Sequence, residues 1–243
     1  MKQFLAILLF SISANIYADE VLFATANNLY TNGDYSAAIS KYDSILSNNI
    51  ESYEIYYNLG NCYYKTGDWA NAIWHYEKSL RIEKNEKTIQ NLALTNLKII
   101  DRIEPLPQLF YTKWLKNISQ LFSIKIWQIL ALVCMWCFLI VKILYPLTNF
   151  KKNKMAHILL LMAILSFFIA NFSYTTTITK KEGIIFSSTV IVNSAPTTNS
   201  TDLFSLHSGA KVEVIDEIGD WINIKLTNGN TGWLKKNNCR TLY

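Results

Sequence analysis

Between positions 105 and 179 the chain has no acidic residue, although that stretch holds seven lysines (Lys113, Lys116, Lys125, Lys142, Lys151, Lys152 and Lys154). The flanking stretches are balanced: residues 19–104 carry eight basic and twelve acidic side chains, and residues 180–243 carry seven and six. The net charge of +5 therefore belongs to the middle of the chain and leaves no clustered basic face for nucleic acid. Histidine is scarce. His75, His157 and His207 lie far apart, and no spacing of His, Cys, Asp or Glu fits a metal centre. There is also no glycine-rich phosphate loop, and no third folded part to hold a catalytic Cys and His together. The expectation is a protein that is not an enzyme and has no cofactor or metal. The four cysteines make no disulfide framework: Cys134 and Cys137 sit in an apolar run, Cys62 in a helical segment and Cys239 near the C-terminus. A Cys62–Cys239 bridge would require two separate folded parts to touch, and the sequence gives no sign of such contact.

What fills the acid-free stretch is hydrophobicity. Residues 124–145 and 155–174 are apolar runs of about 20 residues, the length needed to cross roughly 30 Å of hydrocarbon. Neither has the polar face of a soluble surface helix. The turn between them, residues 146–154, begins at Pro146 and contains three lysines. A pair of buried core helices is the alternative to a transmembrane hairpin. At the start, Met1-Lys2, an apolar run from Phe4 to Ile16 and a small residue at Ala18 describe a secretory signal peptide over residues 1–18. With that signal, the chain reads as a two-pass protein of the bacterial inner membrane with both soluble parts in the periplasm. Lysines flank both sides of the bilayer, so the positive-inside rule does not decide the orientation. Residues 103–123 form a linker in which Trp114, Lys113, Lys116 and several apolar residues recur at helical spacing, as in a helix lying in the lipid interface.

Sliding the chain by 34 positions aligns Asn27 with Asn61, Tyr30 with Tyr64, Gly33-Asp34 with Gly67-Asp68, Ala38-Ile39 with Ala72-Ile73, Tyr42 with Tyr76 and Leu46 with Leu80. Such a period marks a helical repeat. With Tyr56, Leu59, Gly60, Tyr63, Ala72 and Tyr76 at its signature positions, the second copy resembles the tetratricopeptide repeat. The resemblance implies an all-α domain over residues 19–102, with Gly60 at a close helix crossing and Gly-Asp pairs starting the second helices. Residues 88–101 read as one amphipathic helix capping the array. The family generally binds peptides along a concave surface, which here would be made by Phe23, Asn27, Tyr30, Tyr57, Asn58, Asn61, Tyr64 and Lys65. Asn27 and Asn58 fit a subgroup that grips a C-terminal carboxylate. Its basic residues are replaced by Phe23, Thr88 and Leu92, so that function is not carried over. Two repeats are few for independent stability, and support from the membrane surface or a partner is expected.

From residue 180 the period changes from helix to strand. Lys211–Asp216 and Trp221–Leu226 alternate, and Asn228-Gly229 marks a hairpin turn. Ala195-Pro196, Gly219-Asp-Trp221 and Thr231-Gly-Trp233 in this order resemble a bacterial SH3-like domain, a small all-β barrel over residues 180–243. That resemblance implies a groove for cell-wall peptides or protein segments at Pro196, Trp221 and Trp233, although core packing is an equal alternative for Trp233 beside Gly232. His207 reads as a hairpin residue. The whole arrangement is that of a multidomain membrane protein with a repeat array, a two-helix hairpin and a barrel. It resembles the BatE-like proteins of bacterial aerotolerance-type Bat systems, with Asn91-Leu92, Trp127, Ser194-Ala-Pro196 and Asp202 to His207 as the local matches. This resemblance implies partnership with membrane proteins bearing von Willebrand factor type A domains and with a MoxR-type ATPase. The function expected is a membrane-anchored scaffold. The alternative is a tether or sensor holding peptidoglycan through the barrel.

Overall fold

The structure, a computed structural model, describes residues 19–107, 109–144, 154–177 and 180–243. The signal peptide expected over residues 1–18 and most of the turn expected between the two apolar segments lie outside the described residues. Of the described residues, those from 19 to 105 and from 181 onward form one compact unit, and those between 106 and 180 form a second.

In the first unit, α1 covers residues 19–31 and α2 covers Tyr35–Ser47. Gly33, at φ 82°, turns the chain, and the Asp34 carboxylate accepts from the Ala37 N–H to start α2. The same device recurs one repeat later. Gly67 at φ 80° ends α3 (Tyr53–Thr66), and Asp68 caps α4 (Trp69–Ile82) through the Asn71 N–H. A Cβ on Gly60 would lie 2.5 Å from the Tyr76 ring, which is why the crossing residue carries no side chain. Ala26, Ala38, Tyr42, Ile45, Ile55, Leu59 and Cys62 form the core of the first three helices.

Helix α5 covers Glu86–Asn96 and is capped by Asn85. It is shorter than the single helix expected over residues 88–101. The chain leaves the helical path because tertiary contacts outbid the local amphipathic pattern. Asp101 accepts from the backbone N–H of His207 at 2.5 Å and lies 2.9 Å from its Nδ1, while Ile103 packs against the core of the C-terminal sheet.

That sheet has seven strands: β1 Glu182–Ile185, β2 Thr189–Asn193, β3 Asp202–His207, β4 Lys211–Ile218, β5 Trp221–Lys225, β6 Thr231–Lys235 and β7 Cys239–Thr241. Their order is β3-β2-β6-β5-β4-β1-β7, and every pairing is antiparallel. Alternation places Val190, Val192, Ile222, Ile224 and Leu234 in the core. Gly232 lies where a Cβ would meet Val192 at 2.5 Å, so β2 and β6 approach closely there.

The array and the barrel touch, contrary to the expectation from sequence. Trp74 Nε1 donates to the Thr241 carbonyl at 3.0 Å, and the Arg240 guanidinium stacks 3.7 Å above the Trp74 ring. Lys211 bridges Glu77 and Glu182 at 2.9 and 3.1 Å, and Arg81 pairs with Glu182 at 3.0 Å. Tyr56, Ala70, Ile73 and Trp74 form one apolar cluster with Ile184 and Leu242. The contact makes no bridge between Cys62 and Cys239, which are both buried and free in separate clusters. Support for the short array thus comes from within the chain.

In the second unit, α6 covers Phe110–Ser119, α7 Ile124–Leu144 and α8 Lys154–Thr177. Both α7 and α8 are long and apolar enough to cross a membrane. Only 17% and 28% of their most apolar windows are buried against protein, whereas a soluble core helix is mostly buried. They pack through small residues, Ala131 and Cys134 on α7 with Ala156, Ala163 and Ala170 on α8, which allow close approach. Trp127 Nε1 donates to the Ser119 carbonyl at 3.2 Å, tying α6 to the start of α7. Phe110 and Trp114 on α6 remain exposed.

Candidate functional site

Two concave features among the described residues of the first unit gather residues expected from sequence. The first lies on the array, at the face made by α1, α3 and α5. It is a concavity of about 200 Å³ lined by Tyr30, Asn61, Tyr64, Lys65, Tyr76, Asn91 and Leu94. Of the eight residues expected from sequence, it gathers Tyr30, Asn61, Tyr64 and Lys65. Tyr57 stands beside it, its hydroxyl accepting from Asn91 Nδ2 at 3.3 Å.

The others serve the fold. Phe23 packs edge-to-face on Tyr42 with ring centres 5.9 Å apart and lies, half-buried, against the core. Asn27 Oδ1 accepts from the Tyr42 hydroxyl at 2.5 Å and from Asn58 Nδ2 at 3.1 Å. Asn61 repeats this arrangement, accepting from the Tyr76 hydroxyl at 2.7 Å and from Asn91 Nδ2 at 2.8 Å. The two tyrosines are buried, and burial pushes the Tyr42 hydroxyl up to about 12 and raises that of Tyr76, so both remain donors. Each asparagine oxygen is thereby committed to holding a second helix. The Nδ2 of Asn61 and the Oδ1 of Asn91 take no part in these bonds. A side-by-side amide donor and acceptor in a tyrosine-lined concavity complement a peptide group.

Tyr76, Asn91 and Leu94 were missed in the sequence reading. Asn91 lies 34 positions after Tyr57, so extending the repeat period into the capping helix would have found it.

The second feature is a cleft of about 840 Å³ on the barrel, lined by Pro196, Thr197, Thr198, Asp220, Trp221, Lys235, Lys236 and Asn237. It joins Pro196 with Trp221 as expected, whereas Trp233 does not line it. Trp221 and Lys235 are cross-strand partners, and Lys236 is engaged with Glu217 at 2.8 Å. The third expected groove residue, Trp233, is half-buried at the centre of β6. It stands opposite Asn193 on one side and Asn223 on the other.

His75 is almost fully buried within the array, stacked on Tyr63 at 5.1 Å between ring centres. Burial above all, then Arg240 and Lys78, push it down to about 3, so the ring is neutral. Its Nδ1 has no hydrogen-bond partner among the described residues. His207 is tied to Asp101 rather than to any cleft. No group of three or more His, Cys, Asp or Glu among the described residues could hold a metal ion.

Together these features define a helical-repeat interaction module joined to a small antiparallel barrel, in a chain that also carries two helices apolar enough to span a membrane. Residues 23–85 match the family model of the tetratricopeptide repeat, and residues 188–238 match that of the bacterial SH3 domain. Comparison with curated proteins finds no match to the chain. The two matched modules are of non-catalytic kinds, the first associated with protein partners and the second with peptidoglycan and the bacterial envelope.

Proposed function

We propose that this chain is a non-catalytic adaptor held in the bacterial inner membrane by two passes. In this reading the array and the barrel are both periplasmic and assemble a Bat-type membrane complex linked to aerotolerance or envelope stress. Its partners are membrane proteins with von Willebrand factor type A domains, working with a MoxR-type ATPase. The observation that carries the reading is the open tyrosine- and amide-lined concavity, on an array whose α4 surface is already covered by the barrel. The two-pass topology draws support from the same contact. Residues before 105 and after 181 belong to one body, so an even number of crossings must separate them.

The test is affinity purification of the full-length protein from detergent-solubilised membranes, beside a Tyr30→Ala, Tyr64→Ala, Lys65→Ala variant. Asn61 is left intact because it holds Tyr76. A membrane protein with a von Willebrand factor type A domain should co-purify with the native form and be lost from the folded variant. Capture of the same proteins by both forms would refute the concavity as the partner site.

A second reading, a cell-wall tether or sensor, is favoured by the barrel cleft with Trp221 and Pro196 on its walls. Sedimentation of the detergent-solubilised protein with purified sacculi tests it, and protein remaining in the supernatant would count against it.

A further inference from the structure

Helix α6 has two unlike sides. At about 3.6 residues per turn, Phe110, Tyr111, Trp114, Leu115 and Ile118 fall on one side, and Thr112, Lys113, Lys116, Asn117 and Ser119 on the other. The C-terminal end of the apolar side is covered by protein: Ile118 packs with Trp127 of α7 and with Ile169 and Ala170 of α8. The hydrogen bond from Trp127 to the Ser119 carbonyl holds the same end. The N-terminal end is open. Phe110 is 85% exposed and Trp114 64%, and Leu109 before the helix and Leu121 after it are exposed as well.

Two observations say what covers the open end. The first is continuity. Ile118 turns the apolar side of α6 onto two helices whose own surfaces are mostly unburied and apolar enough for hydrocarbon. Followed back through Trp114 to Phe110, that side runs off the protein, and the next apolar surface it meets is the medium around α7 and α8. Trp114 and Tyr111 suit the position, because indole and phenol rings collect where hydrocarbon gives way to headgroups. The second observation is charge. Lys113 and Lys116 on the other side of α6, and Lys125 in the first turn of α7, are exposed and make no ion pair among the described residues. No acidic residue lies between positions 105 and 179 to answer them. Three free cations beside an uncovered apolar face complement a surface that is apolar below and negative above.

We infer that α6 lies in the headgroup layer of the bilayer that α7 and α8 cross, and that Lys113, Lys116 and Lys125 select anionic phospholipids there. Phe110 and Trp114 enter the upper hydrocarbon. Headgroup phosphates accept hydrogen bonds from the lysine ammonium groups, whose apolar stems lie along the acyl boundary. The inference rests on reading α7 and α8 as spans.

The experiment uses the full-length chain in vesicles of equal parts phosphatidylcholine and phosphatidylglycerol. With the four native cysteines replaced by alanine, single nitroxide labels are placed at Phe110→Cys, Trp114→Cys, Asn117→Cys and, within α7, Leu132→Cys. Collision with oxygen marks a label in hydrocarbon, and collision with a water-soluble nickel chelate marks one in water. The labels at 110, 114 and 132 should favour oxygen, and the label at 117 the chelate. Spin-labelled lipids then report how strongly the chain holds phosphatidylglycerol over phosphatidylcholine. The native chain should prefer phosphatidylglycerol. Lys113→Gln/Lys116→Gln/Lys125→Gln should melt as the native chain does and lower that preference about fivefold or more, a factor that one lysine at an anionic surface accounts for. Chelate access at 110 and 114 equal to that at 117 would overturn the inference. Shielding of both labels from both reagents would overturn it too, by placing protein on that face. Equal holding of the two lipids by the native chain, or an unchanged preference in the triple variant, would end the assignment of anionic lipid. Chelate access at 132 would bring down the reading of α7 as a span, and the inference with it.

Discussion

The two repeats of the array share an internal scaffold but differ on their outer surface. Asn27 with Tyr42 and Asn61 with Tyr76 make the same bond 34 positions apart, and Gly33-Asp34 and Gly67-Asp68 make the same turn. On the outside of the second helix, Ser40, Asp43 and Ser47 of the first repeat are replaced by Trp74, Glu77 and Arg81. Those three are the residues that meet Arg240, Thr241, Glu182 and Lys211 of the barrel. The repeat signature therefore specifies how helices pack within the array, and a few surface substitutions within it specify what else the array can hold.

The largest expected effect breaks this contrast directly. Trp74→Ala should destabilise the detergent-solubilised protein by about 3–5 kcal/mol in guanidinium unfolding, while Ser40→Ala at the matching position should change it by less than about 0.5 kcal/mol. Equal effects would show that the barrel contact adds nothing.

Next comes pH. His75 occupies the place of Lys41. Folded, it titrates near 3, below its ordinary 6.5, so between these values only the unfolded chain carries the extra proton. Stability should fall as pH drops from 6.5 towards 3, by about 1.4 kcal/mol per unit from this group. A His75→Leu variant should show a correspondingly shallower slope in unfolding at stepped pH, and an unchanged slope would contradict the assignment.

Gly60→Ala should cost about 1–3 kcal/mol, because its Cβ would press on Tyr76. Ala26→Gly in the first repeat should cost about 1–2 kcal/mol, through helix entropy and the loss of a buried methyl group. Thermal melts of the two variants read both costs. The smallest effect concerns the shared scaffold: Asn27→Ala and Asn61→Ala should each lose about 1 kcal/mol, and by similar amounts. A large difference in unfolding midpoint between them would show that the two repeats are not equivalent inside.

Much of the array could be read from residues. Glycine before aspartate stops one helix and caps the next, and these are local rules that survive in the folded chain. The resemblance to the tetratricopeptide repeat also placed Tyr30 and Tyr64 on the concave face. It could not tell that Asn27 and Asn58 would be spent inside, because that depends on the Tyr42 hydroxyl arriving from the neighbouring helix. Likewise, alternation put Trp221 and Trp233 on one face of the sheet, but only the fold of the Pro196–Thr198 loop made a cleft at one and not at the other.

The sequence by itself determined the kinds of element and their order: a 34-residue helical repeat, two apolar helices and a run of alternating strands. Each is set by periodicity and by turn residues acting over a few positions. The tertiary structure decided the union of array and barrel. Asp101 meets His207 across 106 positions and Trp74 meets Thr241 across 167, and no local pattern records such pairings. They form because a tryptophan, an arginine and a half-buried lysine with two carboxylates find complementary partners only after both modules have folded.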